Sequence, residues 1–86
     1  MKSVLMFTME ACPFCKEAST WMEELKEENV KYFNIDIKKI DERRQPDIAN
    51  KYDYYYVPTY YVDGEKVHEG AATKEIVRKI LEQACE

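Results

Sequence analysis

The chain has 86 residues, enough for one domain and too few for a second. Apolar residues make up 45% and charged residues 35%, which allows a buried core beneath a well-solvated surface. A net charge of −4 argues against nucleic acid as a partner, and three cysteines, an odd number, are too few for a disulfide scaffold.

Met1-Lys2-Ser3 precedes only four clearly apolar residues, too short a run for a signal-peptide core or a membrane span, so the expected location is the reducing cytoplasm. Those four, Val4 to Phe7, read as a strand buried on both faces. Thr8 to Ala11 reads as a loop. From Phe14 to Glu28 the apolar positions Phe14, Ala18, Trp21, Met22 and Leu25 fall at helical spacing, and Asn29 ends that helix. Glu27 and Glu28 oppose the helix dipole there, so fraying is expected.

Lys31 to Ile37 alternates and predicts a second strand, with Phe33, Ile35 and Ile37 on one side. In residues 39–52 Asp41 could cap a helix but Pro46 would interrupt it. Two short turns are expected, or a helix restarting at Pro46 with Ile48, Ala49 and Tyr52 on its buried face. Thr59 to Val62 is β-prone, Asp63-Gly64 is a two-residue hairpin signal, and Glu65 to Glu69 returns as the partner strand. Gly70 breaks the pattern, and Thr73 caps a last helix with Ile76, Val77, Ile80, Leu81 and Ala84 as its apolar stripe. The order β-α-β-α-β-β-α predicts an α/β domain over residues 1–86, a four-stranded mixed sheet with helices on both faces.

The chemistry is concentrated in Cys12-Pro13-Phe14-Cys15, between the first strand and the first helix. Cys12 falls at the N-cap, where unpaired N–H groups and the helix dipole stabilise a thiolate. Pro13 suits the first helical position, where no N–H is needed. Cys15, three residues on, is close enough to attack a mixed disulfide formed at Cys12. A C-x-x-C pair also suits zinc, but a structural site wants four ligands and only Cys85 and His68 remain. Cys85 reads as a surface or half-buried cysteine on the last turn, and His68 as a solvent-facing strand residue.

Cys12-Pro13-Phe14-Cys15 together with Val57-Pro58 resembles the glutaredoxins, members of the thioredoxin superfamily, which carry a C-P-[YF]-C site and a cis-proline that faces it. The likeness runs from Val4 to Leu81. It implies a thioredoxin fold, with three helices about the four-stranded sheet. Cys12 would then be the attacking thiol, Cys15 the resolving thiol and Pro58 a cis-proline that frees the Val57 backbone to pair with substrate. Phe14, Tyr56, Gly70 and Ala71 complete the expected substrate-binding set. Substrates would be protein disulfides or glutathione mixed disulfides, with glutathione or a flavin-dependent reductase as electron donor. No bound cofactor or metal is needed, and a monomer is expected.

The chain also departs from that family. Met9 stands where glutathione-using members have a lysine, Tyr56 replaces the threonine before Val-Pro, and Glu69-Gly70-Ala71-Ala72-Thr73 lacks the Gly-Gly pair and aspartate. Glu69 would add a like charge beside a carboxylate-bearing ligand, so weaker glutathione binding than in a typical dithiol glutaredoxin is expected. Pro58-Thr59-Tyr60 through Gly70-Ala71 is closer to the thioredoxins, yet the buried aspartate expected beneath their site is replaced by Met6. The run Tyr52, Tyr54, Tyr55, Tyr56, Tyr60 and Tyr61 either fills space in the core or, through Tyr56 above all, forms an aromatic docking surface. Two further readings compete with the redox one. A copper carrier would want the methionine one residue nearer to Cys12, and a subunit-bridging iron–sulfur glutaredoxin would want a smaller residue than Pro13.

Overall fold

Residues 2–86 are described in the computed structural model. Strand β1 (Val4–Thr8) leads into α1 (Pro13–Glu28), a 3-10 turn (Val30–Tyr32) and β2 (Ile37–Asp41). The short helix α2 (Pro46–Ala49), the hairpin β3 (Thr59–Val62) and β4 (Glu65–Glu69), and α3 (Lys74–Ala84) complete the domain. The sheet order is β2-β1-β3-β4. β1 runs parallel to β2, with Val4 beside Ile37, and antiparallel to β3, with Met6 beside Tyr60. Interior β1 is thus covered on both faces, as its unbroken apolar run requires.

Alternation along the central strands divides the core in two. Val4, Met6, Tyr60 and Val62 point to one face and pack with Ala18, Met22 and Leu25 of α1 and Val77, Ile80, Leu81 and Ala84 of α3. Phe7, Ile40 and Tyr61 point to the other and meet Ala49 of α2, with Leu5, Ile48, Tyr52, Tyr54 and Val57 around them. Most of the tyrosine run therefore fills space. The Phe7 ring lies 4.9 Å from that of Tyr52, 4.8 Å from Tyr54 and 5.7 Å from Tyr61. Tyr55 and Tyr56 stay exposed.

Two expectations need correction. The strand expected over Lys31–Ile37 begins only at Ile37 and runs to Asp41. Asn29 ends α1 and its side chain accepts from the Lys31 N–H at 3.1 Å, which starts the 3-10 turn and postpones the strand. Tyr32 and Ile35 are buried while Phe33 is 71% exposed, so Phe33 does not share a core face with Ile35. The end of α1, expected to fray, is helical through Glu28. Lys74, in the first turn of α3, reaches across to Glu24 (3.0 Å) and Glu28 (2.7 Å) and offsets the unfavourable charge. Elsewhere the boundaries agree closely, and the hairpin turn has both Asp63 (φ 49) and Gly64 (φ 84) in the left-handed region its two-residue length demands. Among the described residues no helix is long and apolar enough to cross a membrane.

Candidate active site

The loop between β1 and α1 makes a sharp turn to deliver the cysteines. Ala11 sits at φ 67, unusual for a residue with a Cβ, and the Cys12 N–H donates back to the Met9 carbonyl at 3.2 Å. Asp41, at the end of β2, braces this loop by accepting from the Glu10 N–H at 3.1 Å. Its other oxygen accepts from the N–H groups of Arg43 (2.9 Å) and Arg44 (3.3 Å). The residue expected as a possible helix cap therefore caps a turn and ties it to the cysteine loop.

Cys12 is the N-cap of α1, in extended conformation, and its Sγ accepts from the Cys15 N–H at 3.2 Å. Pro13 occupies the first helical turn, as its missing N–H favours. Cys12 is half-buried, whereas Cys15 is 5% exposed. Burial, reinforced by the hydrogen bond with Cys12, pushes the Cys15 thiol up to about 12. One sulfur of the pair thus faces outward on the helix end, and the other is kept protonated behind it.

The Val57–Pro58 bond is cis, and the Val57 carbonyl stands 4.0 Å from Cys12 Sγ. Val57 precedes β3, so its backbone is not committed to the sheet. Phe14, between the cysteines in sequence, is 53% exposed. Gly70, at φ 94, closes the far end of the hairpin by donating to the Pro58 carbonyl at 2.8 Å, a backbone that a Cβ would strain. The Ala71 carbonyl accepts from His68 Nε2 at 3.0 Å, so His68 is half-buried and engaged where a solvent-facing side chain was expected. Cys85 is half-buried beside the Lys31 carbonyl. The neighbouring Ala84 carbonyl accepts from the Lys2 N–H at 2.8 Å, which places Cys85 by the start of β1, the end opposite to Cys12.

Two groups at this site take their roles only from the fold. A cleft of about 540 Å³ beside Cys12 is lined by Lys16, Lys39 and Arg44 as well as by Met9. Cations reach the cleft from α1, from β2 and from the turn after it, although position 9 lacks one; Glu10 and Asp41 line it too, and Arg44 pairs with Glu10 at 3.5 Å. Lys39 and Arg44 are distant in sequence from the cysteines and carry no local signal. Glu69 is the second group. Its carboxylate accepts from the N–H groups of Tyr55 (2.5 Å) and Tyr56 (3.0 Å) and pairs with Lys66 Nζ at 2.8 Å. Those partners, Lys66 foremost, hold it down at about 2. The repulsive role expected for Glu69 is thus corrected: its charge is matched within the hairpin. Among the described residues no group of three or more His, Cys, Asp and Glu side chains could hold a metal ion.

The glutaredoxin family model matches residues 4–67. No curated protein sequence matches the chain. Among solved structures it is similar to a thioredoxin of Malassezia sympodialis, at 19% identity and TM-score 0.79 over 99% of this chain and 76% of that one. Thioredoxin O1 of Arabidopsis thaliana, in its oxidised state, gives 24% identity and TM-score 0.75 over 100% and 79% of the two chains. A mutant thioredoxin of Halobacterium salinarum gives 25% and 0.72 over 99% and 75%.

Proposed function

The chain belongs to the glutaredoxin family and is in general terms a thiol–disulfide oxidoreductase; from that premise we propose that it reduces protein disulfides or glutathione mixed disulfides through Cys12 and Cys15. The observation that carries this reading is the division of the two sulfurs, with Cys12 Sγ facing a backbone N–H at the helix start and Cys15 buried and protonated behind it.

In the first step the Cys12 thiolate attacks one sulfur of the substrate disulfide. A Cys12–substrate disulfide forms, and the other substrate sulfur leaves as a thiolate that takes up a proton. The Cys15 sulfur then gives up its proton and attacks Cys12 Sγ, releasing the remaining substrate sulfur, which is protonated in turn. Two electrons have passed to the substrate, and the protein holds a Cys12–Cys15 disulfide. Two glutathione thiols, or a flavin-dependent reductase, return the pair to the dithiol. Lys16 and Lys39, in the cleft beside Cys12, offer cations to an anionic thiol donor. We place this activity in the cytoplasm and assign it to the monomer.

Alkylation at mildly acidic pH tests the assignment: Cys12 is labelled first, and Cys15 and Cys85 are spared. Cys15→Ser accumulates mixed disulfides at Cys12, and Cys12→Ser loses all disulfide reduction. Turnover surviving in Cys12→Ser, or first labelling of Cys15, overturns it. Parallel assays coupled to glutathione with its reductase and to thioredoxin reductase identify the donor.

A further inference from the structure

Residues 55–58 lie outside any helix or strand, yet they are fixed at three points by the end of the hairpin. One Glu69 oxygen accepts from two successive N–H groups, Tyr55 and Tyr56. The Thr59 hydroxyl, fully buried, donates to the Tyr56 carbonyl. The Gly70 N–H holds the Pro58 carbonyl. Lys66 supports the other Glu69 oxygen and also donates to the Asp53 carbonyl at 3.2 Å, which ties in the chain just before the segment. The result is a short stretch whose Val57 carbonyl is set 4.0 Å from Cys12 Sγ, while the rings of Tyr55 and Tyr56 remain 84% and 70% exposed. Charge-assisted hydrogen bonds to backbone are directional, and two from one carboxylate orient a dipeptide as packing of its exposed side chains cannot.

We propose that Glu69 is a positioning residue: by holding the Tyr55 and Tyr56 amides it sets the Val57 backbone beside Cys12 and presents the two rings as the docking edge for a protein disulfide. The inference rests on the oxidoreductase reading and narrows its substrate. A polypeptide brings apolar side chains on either side of its cystine to cover exposed aromatic rings, which anchor interfaces well. A small disulfide needs the outward-facing sulfur but has no side chains to lay on Tyr55 and Tyr56.

The test compares Glu69→Ala with Glu69→Gln, which keeps an acceptor oxygen, using insulin and 2-hydroxyethyl disulfide as substrates. Amide hydrogen exchange at Tyr55 and Tyr56 is followed by NMR. In Glu69→Ala these two amides exchange at least about tenfold faster, and KM for insulin rises about tenfold with kcat unchanged. KM for the small disulfide stays within about twofold, and Glu69→Gln regains most of both effects. Unchanged exchange, an unchanged insulin KM, or an equal loss on both substrates overturns the proposal. If the unaltered protein reduces neither disulfide, the oxidoreductase reading fails, whereas the amide exchange still reports on the clamp.

Discussion

Two cysteines three residues apart have the same intrinsic acidity, and it is their places on the first turn of α1 that separate them. Cys12, before the first helical residue, meets the Cys15 N–H; Cys15, inside the helix, turns its sulfur into the core. The upward shift of Cys15 has a consequence for stability. The folded protein keeps this thiol protonated up to about 12, while the unfolded chain ionises it near 9.0. Between those values the folded state binds more protons, so its contribution is complete below pH 9 and is lost as pH rises toward 12. Denaturant midpoints of the reduced protein should therefore fall more steeply above pH 9 than those of Cys15→Ala; parallel profiles would contradict the burial argument. Tyr60 makes a second case. Its hydroxyl is fully buried with no hydrogen-bond partner among the described residues, and burial pushes its ionisation upward. An unsatisfied buried hydroxyl costs ~1–3 kcal/mol, so Tyr60→Phe should raise stability by about 1 kcal/mol in a denaturant titration. A loss of stability would mean that the hydroxyl is satisfied after all.

The helices are held at their ends as much as along their faces. Thr73 accepts from the Ile76 N–H at 3.2 Å and starts α3, whose apolar stripe seals the larger core. Thr73→Ala should cost about 1 kcal/mol, the usual value of such a cap, and the thermal midpoint will show it. Lys74, the next residue, joins the start of α3 to the end of α1. The hairpin is joined to its surroundings in the same way. Its turn is secured by Ser3, whose carbonyl accepts from the Asp63 N–H at 2.9 Å, and its open end by Glu69 and Gly70. Both ends of β3 and β4 thus bear on other parts of the chain, and the end nearer the cysteines is the one that shapes the site.

Across the whole molecule, the sheet separates a larger core under α1 and α3 from a smaller one built on aromatic rings. The smaller core has only the four-residue α2 as regular cover, so Phe7 and its three tyrosine neighbours do the work of a helix there. Phe7 is fully buried at the centre of that group. Removing it should cost ~3–5 kcal/mol. Domains have about 5–15 kcal/mol in all, so Phe7→Ala should unfold well below the thermal midpoint of the parent. Loosening should be greatest in residues 46–58, which amide exchange can resolve. A small shift in midpoint with those amides still protected would mean that α2 covers this face without the ring.

What the sequence by itself determined were the features set by neighbours a few residues apart. Cys12 at a helix start, Pro13 behind it, the Asp63-Gly64 turn, the Thr73 cap and the two helical stripes all act through local backbone geometry, and each is found where the pattern puts it, except that Phe14 at the head of the first stripe is exposed. The tertiary structure decided whatever depended on partners remote along the chain. The strand expected from residue 31 starts at Ile37 because Asn29 nucleates a turn and the register against β1 begins there. Lys39 and Arg44 line the cleft beside Cys12 because β2 pairs with β1. Glu69 changes from an expected source of repulsion into the anchor of residues 55 and 56, since hairpin pairing brings a carboxylate to two free N–H groups fourteen and thirteen residues away. A charge read along the chain has a sign but no partner, and only folding supplies the partner.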